Sequence, residues 1–319
     1  MGRFSGGPLK IFHGTATPGL AEEIANHLGL RIGDCGVSRF QNGEIQVIVN
    51  ESVRGDDAFV VQSTCSPPND TLMELLILID ALRRASARRV TAVIPFYGYA
   101  RQDRKTRGRE PITAKLVANL LTTAHCDRVL TMDLHAGQIQ GFFDIPVDHL
   151  TALPLLTDYI VGKHLEDLIV VSPDVGGVAR ARNMAERLGA TFGVIEKRRR
   201  RPNESEVMTV IGEVKDRTAI LFDDIIDTGG TIAKAAHALI ENGAKAVYAC
   251  ATHPIFAGEA FSTLAEAPFE EIIVTNTIPV TMPPEKTEGL NVKVLSVAPL
   301  LAEAIVRIHE DLSVSKLFE

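Results

Sequence analysis

The 319-residue sequence contains no tryptophan, few aromatics of any kind (5%) and four cysteines. Those cysteines, Cys35, Cys65, Cys126 and Cys250, are scattered without metal-ligand spacing, which removes a structural metal framework and points to buried, reduced thiols in a cytoplasmic protein. Positive charge is not in excess: 33 Lys and Arg against 40 Asp and Glu leave a formal net charge of −7, which argues against a general nucleic-acid binder. Long apolar runs are missing too. The most apolar stretch, Leu72 to Leu82, is too short to span a bilayer and is broken by Glu74 and Asp80. Met1 to Lys10 holds glycine, serine and proline where a signal peptide needs an apolar core. What remains, 45% hydrophobic and 23% charged residues, is the composition of a soluble globular protein, with length for about two domains.

Short apolar strands alternate with helices almost throughout, which is the pattern of parallel sheets covered on both faces, so the class is α/β. In the first half the strands fall at Ile11-Phe12, Ile45 to Val49, Ala58 to Gln62, Val90 to Pro95 and Val129 to Met132. Thr71-Leu72-Met73-Glu74 reads as a capping box opening a helix to about Arg84, whose all-round apolarity implies deep burial or a subunit contact. A second helix, Ile112 to about Thr123, is expected to bury Leu116, Val117, Leu120 and Leu121. Proline and small residues after Asp144-Ile145-Pro146-Val147-Asp148 mark a boundary near residue 150, dividing the chain into 1–150 and 151–319. Beyond it come strands at Leu168 to Val171, Phe192 to Glu196, Ala219 to Phe222, Val247 to Cys250, Ile272 to Thr275 and Val292 to Ser296, a helix at Val178 to Leu188 and a last helix from Pro299 to about Glu310. The closing tail, Asp311 to Glu319, has hydrophobic residues that suggest docking.

The most informative stretch is 219–231. A buried strand runs into Asp223-Asp224-Ile225-Ile226-Asp227-Thr228-Gly229-Gly230-Thr231 and opens a helix carrying Ile232, Ala235, Ala236, Leu239 and Ile240 on one face, with Gly243 to stop it. Glycines before a helix N-terminus let an anion approach free backbone N–H groups. The carboxylates upstream accept hydrogen bonds, so they suit sugar hydroxyls or a metal. A phosphorylated sugar satisfies both demands; an ordinary strand-to-helix turn satisfies the pattern equally well. Ser172-Pro173-Asp174-Val175-Gly176-Gly177 repeats the logic, with Arg180 in the first turn of the next helix.

Other motifs carry weaker signals. Phe40-Gln41-Asn42-Gly43-Glu44 reads first as a tight hairpin turn, and also offers the stacking face and polar partners that adenine needs. The segment from Phe96 through Arg101, Gln102, Arg107 and Arg109 is either a solvated basic loop or a polyphosphate contact. Strand alternation would put Asp133 and His135 on one side as a metal-type pair, though such pairs are also common structural hydrogen bonds. Lys197-Arg198-Arg199-Arg200-Arg201 is a solvated face, an RNA contact without the interleaved aromatics that RNA favours, or a cationic loop over a polyphosphate.

Taken together, Phe40 to Glu44, Glu51-Ser52-Val53-Arg54-Gly55, Tyr99-Ala100-Arg101-Gln102-Asp103, Asp133-Leu134-His135-Ala136 with Gln138 to Phe143, Ser172-Pro173-Asp174 with Gly176-Gly177, and the 223–231 run resemble the ribose-phosphate diphosphokinase family over nearly the whole length. The resemblance implies two phosphoribosyltransferase-like domains, an active site at their junction completed by a neighbouring subunit, and a homo-oligomer, a hexamer built from dimers. It implies that Phe40, Asn42, Gly43 and Glu44 with Arg101 and Gln102 bind ATP, and that His135 and Asp174 belong to a Mg2+ site. It implies further that Asp223, Asp224, Asp227, Thr228, Gly229, Gly230 and Thr231, joined by Arg199, bind ribose 5-phosphate, with Lys197 and Arg199 as catalytic cations. Ser52, Arg54, Ser86, Ser313 and Ser315 match the effector site of the family's phosphate-activated, ADP-inhibited members. Two positions depart from the commonest pattern: Asn42 stands where many bacterial members carry Asp, and His149 where Asn is usual, a change read as neutral. Rival expectations are a phosphoribosyltransferase that consumes the product, which needs no adenine loop, and a non-catalytic regulatory relative, which would be expected to lose its catalytic cations.

Overall fold

The computed structural model of the chain describes residues 7–198, 207–283 and 289–317. In chain order the elements are β1 (Leu9–His13), α1 (Pro18–Leu28), β2 (Cys35–Arg39), β3 (Ile45–Val49), β4 (Asp57–Val61), α2 (Pro68–Arg84), β5 (Arg89–Ile94), α3 (Thr113–Thr123), β6 (Arg128–Met132) and β7 (Val147–Leu150). There follow α4 (Leu153–Val161), β8 (Leu168–Ser172), α5 (Val178–Leu188), β9 (Thr191–Arg198), β10 (Val207–Ile211), β11 (Thr218–Ile226) and α6 (Gly230–Glu241). The chain closes with β12 (Ala246–Pro254), α7 (Ala260–Ala265), β13 (Glu271–Thr275), β14 (Val292–Leu295) and α8 (Ala298–His309). They form two compact units. The first comprises the described residues up to Thr151 with Thr277–Pro279 and those from Ser296 onward; the second comprises Ala152–Asn276 and Val280–Leu295.

In the first unit a five-stranded sheet of order β1-β4-β5-β6-β7 is parallel throughout. Parallel strands buried on both faces read as continuous apolar runs, and Asp57–Val61 is buried at every position. Alternate residues Phe12, Ala58, Val60, Val90, Ala92, Ile94 and Val129 join a core with Leu75, Leu78 and Leu82 of α2 and Val117 and Leu121 of α3. The opposite face is covered by α1, which packs on β1, β4 and α8. The strand pair β2–β3 stands apart as an antiparallel hairpin, in register from Cys35 opposite Val49 to Arg39 opposite Ile45.

The expectation that 151–319 forms one body meets a difference here, since the last helix and tail belong to the first unit. The cause is a polar anchor beside an apolar face. Arg89 pairs with the fully buried Asp57 and donates to Ile308 O at 2.8 Å, His309 Nδ1 lies 2.8 Å from Asp57, and Leu301, Ile305 and Ile308 are buried. In the tail Val314 is buried while Leu312 is exposed.

Three local expectations also change. The helix expected from Thr71 begins at Pro68, and no side chain caps it. Thr71 instead donates to Cys65 O at 2.8 Å, and the buried Glu74 accepts from Thr15 Oγ1 at 2.8 Å and Gln62 Nε2 at 2.9 Å. The capping pair is thus a core network, and Gly14 sits so close that an added Cβ would lie 2.4 Å from Glu74 Oε1. On α3 the buried residues are Ala114, Val117, Ala118 and Leu121, whereas Leu116 and Leu120 are exposed, because the stripe facing the sheet is one residue out of phase with the expected one. On α6 Ile240 is exposed while Ile232, Ala235, Ala236 and Leu239 are buried.

The second unit is built on a seven-stranded sheet of order β10-β9-β8-β11-β12-β13-β14, parallel except for the antiparallel β9–β10 pair. Ile169, Leu221, Ala249 and Val274 pack with Ile232, Ala236 and Leu239 of α6 in its core, and α5 packs against β8 and β11. The four cysteines are free; Cys65, Cys126 and Cys250 are buried and Cys35 half-buried. Among the described residues no helix is long and apolar enough to cross a membrane.

Candidate active site

Buried parallel strands present their polar residues where they end, and both units follow this rule. In the second unit β8 and β11 are adjacent and parallel, so Ser172-Pro173-Asp174 and Asp223-Asp224 emerge side by side. Ser172 Oγ donates to Asp174 O at 2.6 Å, and Asp174 Oδ1 accepts Gly177 N–H at 3.0 Å, which folds the first turn onto itself. Gly177 has no space for a side chain, since a Cβ would lie 2.8 Å from Ser172 Oγ. From the start of α5, Arg180 crosses to the second turn, where Nη2 donates to Asp224 at 2.6 Å and to Asp223 at 3.2 Å. Sequence reasoning placed Arg180 in the first helical turn without a role. The signal available was a cation following an acid-glycine turn in one strand end while paired acids ended another.

The two acids differ in environment. Asp224 is buried and held by Arg180, whereas Asp223 keeps 20% of its side-chain surface. Burial first, then the hydrogen bond and charge of Asp224, push the Asp223 carboxyl up to about 7, with Arg180 opposing the rise. Asp227 and the exposed Thr228 then lead through Gly229, left-handed at φ 77°, into α6. A Cβ on Gly229 would also lie 3.0 Å from Leu264, so glycine is required twice over. The first-turn N–H groups at Gly230, Thr231 and Ile232 point out of the helix start, an anion cradle beside a carboxylate pair.

In the first unit the parallel pairing of β5 and β6 brings two further predicted segments together. Tyr99 is left-handed at φ 64°, and Arg101 and Gln102 are exposed just beyond it. Gln102 Oε1 accepts from Thr113 Oγ1 at 2.5 Å and its carbonyl accepts Ala114 N–H at 3.2 Å. Gln138 Nε2 donates to Asp103 at 2.9 Å, joining this loop to the one that carries His135. Strand alternation does not govern Asp133 and His135, however, because β6 ends at Met132 and Asp133 turns left-handed at φ 37°. His149, read as neutral, has a defined place: its Nε2 accepts Leu134 N–H at 2.8 Å, so that nitrogen carries no proton in this arrangement and the ring supports the backbone next to His135.

The hairpin turn has Phe40 N–H donating to Glu44 O at 2.9 Å, Gly43 at φ 91°, and Phe40 half exposed with Asn42 and Glu44 exposed around it. The tight turn and the presented aromatic are therefore the same object. Arg39 of β2 lies 3.4 Å from Asp70 of α2. Of the candidate effector residues, Ser86, left-handed at φ 69°, accepts Gly55 N–H at 2.9 Å next to Ser52 and Arg54. Ser313 and Ser315 touch through their hydroxyls, and Arg307 donates to Ser313 O at 3.1 Å. Lys197 is on β9, its backbone opposite Met208 of β10; Arg199 lies outside the described residues. Among the described residues no three His, Cys, Asp or Glu side chains gather as a metal cage.

The acid pair makes a pH-dependent prediction. A carboxyl whose folded-state value of about 7 exceeds an unfolded value of about 4 contributes stability below the lower value and loses it as pH rises through the higher one. Thermal unfolding of the ligand-free protein should therefore show Tm falling across that window, and Asp223→Asn should flatten the fall. An equal slope in both proteins would remove Asp223 as its source.

Comparison with known proteins places the whole chain in a family. A family model described as the N-terminal domain of ribose phosphate pyrophosphokinase matches residues 9–124, and one described as the phosphoribosyl synthetase-associated domain matches residues 198–319. The chain is 57% identical to the ribose-phosphate pyrophosphokinase of Bacillus subtilis over 97% of each chain, and 58% identical to that of Bacillus caldolyticus over 98% of each. The crystal structure of phosphoribosylpyrophosphate synthetase from Mycobacterium smegmatis superposes with a TM-score of 0.90 at 51% identity, covering 96% of this chain and 100% of that one. With this identity sustained across both halves, the chain belongs to the ribose-phosphate pyrophosphokinase family.

Proposed function

We propose that the protein transfers the diphosphoryl group of Mg-ATP to the anomeric hydroxyl of ribose 5-phosphate, giving phosphoribosyl pyrophosphate and AMP. The observation that carries this function is near-full-length identity to curated ribose-phosphate pyrophosphokinases. The second unit's anion cradle beside an acid pair supports it, because a phosphorylated sugar needs both. In this reading the 5-phosphate sits at the α6 N-terminus, held by Asp227 to Thr231, while sugar hydroxyls donate to Asp223, with Asp224 and Arg180 behind it. Ionised, Asp223 accepts through both oxygens; protonated, it turns one of them into a donor and keeps the carbonyl oxygen as acceptor.

The anomeric oxygen forms a bond to the β-phosphorus, the bond from that phosphorus to the bridging oxygen breaks, AMP leaves with that oxygen, and the hydroxyl proton passes to solvent. Such a transfer depends on alignment and charge stabilisation. Arg101 and Gln102 would hold the ATP phosphates and the Phe40 to Glu44 turn the adenine, by stacking and amide hydrogen bonds. For the Mg2+ that the family pattern calls for, Asp174 would offer the carboxylate oxygens such an ion prefers, and His135 would be available as a nitrogen donor, the less favoured kind. That ion would supply charge neutralisation at the bridging phosphates. Lys197 and Arg199 would meet the negative charge that grows as the diphosphoryl group moves. Regulation by phosphate and ADP through Ser52, Arg54, Ser86, Ser313 and Ser315, and assembly into a hexamer, extend the same reading.

Purified protein given ribose 5-phosphate, ATP and Mg2+ should release AMP and phosphoribosyl pyrophosphate in equal amounts, accelerated by inorganic phosphate and slowed by ADP. ADP as the product would sink the diphosphokinase reading; indifference to both effectors would sink the regulatory one. Lys197→Ala should lower kcat about a hundredfold or more with little change in either KM, and near-normal turnover would take Lys197 out of the chemistry. Sedimentation should show a hexamer, and a stable monomer at working concentration would refute that assembly.

A further inference from the structure

Ser63 and Thr64 follow β4 at the strand-end edge of the first unit's sheet, and they are 0% and 1% exposed. Side chains so enclosed touch no ligand. Their hydroxyls are nevertheless committed to one corner of the chain, Phe96-Tyr97-Gly98, from which the loop carrying Arg101 and Gln102 departs. Ser63 Oγ accepts Phe96 N–H at 3.0 Å and donates to Thr277 O at 2.6 Å. Thr64 Oγ1 accepts Gly98 N–H at 2.6 Å and donates to Phe96 O at 3.2 Å, while Thr64 N–H donates to the same carbonyl at 3.0 Å. The β4–β5 pairing reaches Val61 opposite Val93, backbone bonds continue from Gln62 N–H to Val93 O at 2.9 Å and from Thr64 N–H to Phe96 O, and the hydroxyls add the bonds to Phe96 N–H and Gly98 N–H that the backbone does not supply.

The corner has little freedom left. A Cβ on Gly98 would lie 2.3 Å from Thr64 O, so the two backbones approach as closely as only glycine allows. Tyr97 is buried, its hydroxyl donating to Ala114 O at 3.0 Å and its ring edge-on to Phe143. Beyond the corner, Gln102 N–H donates to Tyr99 O at 2.9 Å and Thr113 holds the Gln102 side chain. The Thr64 hydroxyl thus holds Gly98, and the next residue, Tyr99, holds Gln102 through its carbonyl.

We propose that Thr64 and Ser63 are positioning residues for the diphosphoryl donor: by clamping the Phe96–Gly98 corner they set the direction in which Arg101 and Gln102 leave the sheet edge. This rests on the reading of Arg101 and Gln102 as partners of the ATP phosphates. Thr64→Val keeps the shape and deletes the hydroxyl, leaving the buried Gly98 N–H without its acceptor, whereas Thr64→Ser retains the bond. Thr64→Val should lose about ten- to hundredfold in kcat/KM for ATP while KM for ribose 5-phosphate holds within about twofold. Thr64→Ser should recover most of the loss. Trypsin, which cuts after Arg101, Arg104, Lys105, Arg107 and Arg109, should open this loop faster in Thr64→Val than in the parent, a readout that needs no activity.

A folded Thr64→Val with unchanged ATP kinetics, an equal rise in KM for both substrates, or a Thr64→Ser as impaired as the valine variant would overturn the positioning role. Trypsin cleavage at the parental rate would overturn the clamp itself. If the parent protein forms no AMP, the diphosphokinase reading fails instead, and proteolysis still decides whether the corner is held by the hydroxyls. Should Thr64→Val not fold, Ser63→Ala removes the neighbouring hydroxyl from the same corner and carries the same comparison.

Discussion

The constraint on which the rest depends is that both main sheets, apart from the β9–β10 pair, are parallel and packed under helices. Strands so enclosed carry mainly apolar side chains, so groups that can reach a ligand gather toward the strands' C-terminal ends. This is why Ser172-Pro173-Asp174 and Asp223-Asp224, far apart in sequence, lie on adjacent strand ends, and why the Arg101 and His135 loops share an edge of the other sheet. It is also why the loops are so heavily cross-linked. Each must replace the ladder's hydrogen bonds at the moment it leaves the sheet, and side chains such as Ser63, Thr64 and His149 supply them, while Gln138 ties one loop to another through Asp103.

Within the second unit the dominant local effect is the crowding of two carboxyls against one guanidinium. Arg180 contacts both acids, and its shorter bond goes to Asp224, the more buried of the two. Asp223 is left with a burial cost that its share of Arg180 does not cancel, which is why its carboxyl rises to about 7 instead of falling. The glycine turn and the open helix start beside it then supply donors without adding a cation. Acceptor and donor surfaces thus stand next to one another, each suited to a different end of a phosphorylated sugar.

Much of the fold was legible in the sequence because its signals are local. Uniformly apolar strands, glycine stops such as Gly243 and the strand-acid-glycine-helix order all arise from interactions among near neighbours in the chain. The misread features share the opposite property. Thr71 and Glu74 have the spacing of a capping pair, yet their partners, Cys65, Thr15 and Gln62, come from other segments. Leu116 and Leu120 fit a helical stripe, but which stripe faces inward on α3 depends on the sheet beneath it. Asp133 and His135 follow strand spacing in the sequence, whereas the backbone has already left the strand at Asp133.

The sequence by itself determined the α/β class, the two acid-glycine turns, the exposed Phe40 turn and the family, since composition, short-range periodicity and fixed-spacing motifs are properties of contiguous residues. Tertiary structure alone decided that α8 returns to the first unit through Arg89, Asp57 and His309, that Arg180 pairs with Asp223 and Asp224, and that two buried hydroxyls hold the Phe96–Gly98 corner. The physical reason is that a side chain's charge, protonation and freedom are set by whichever atoms surround it, and in a parallel fold those atoms come from strands distant in the chain.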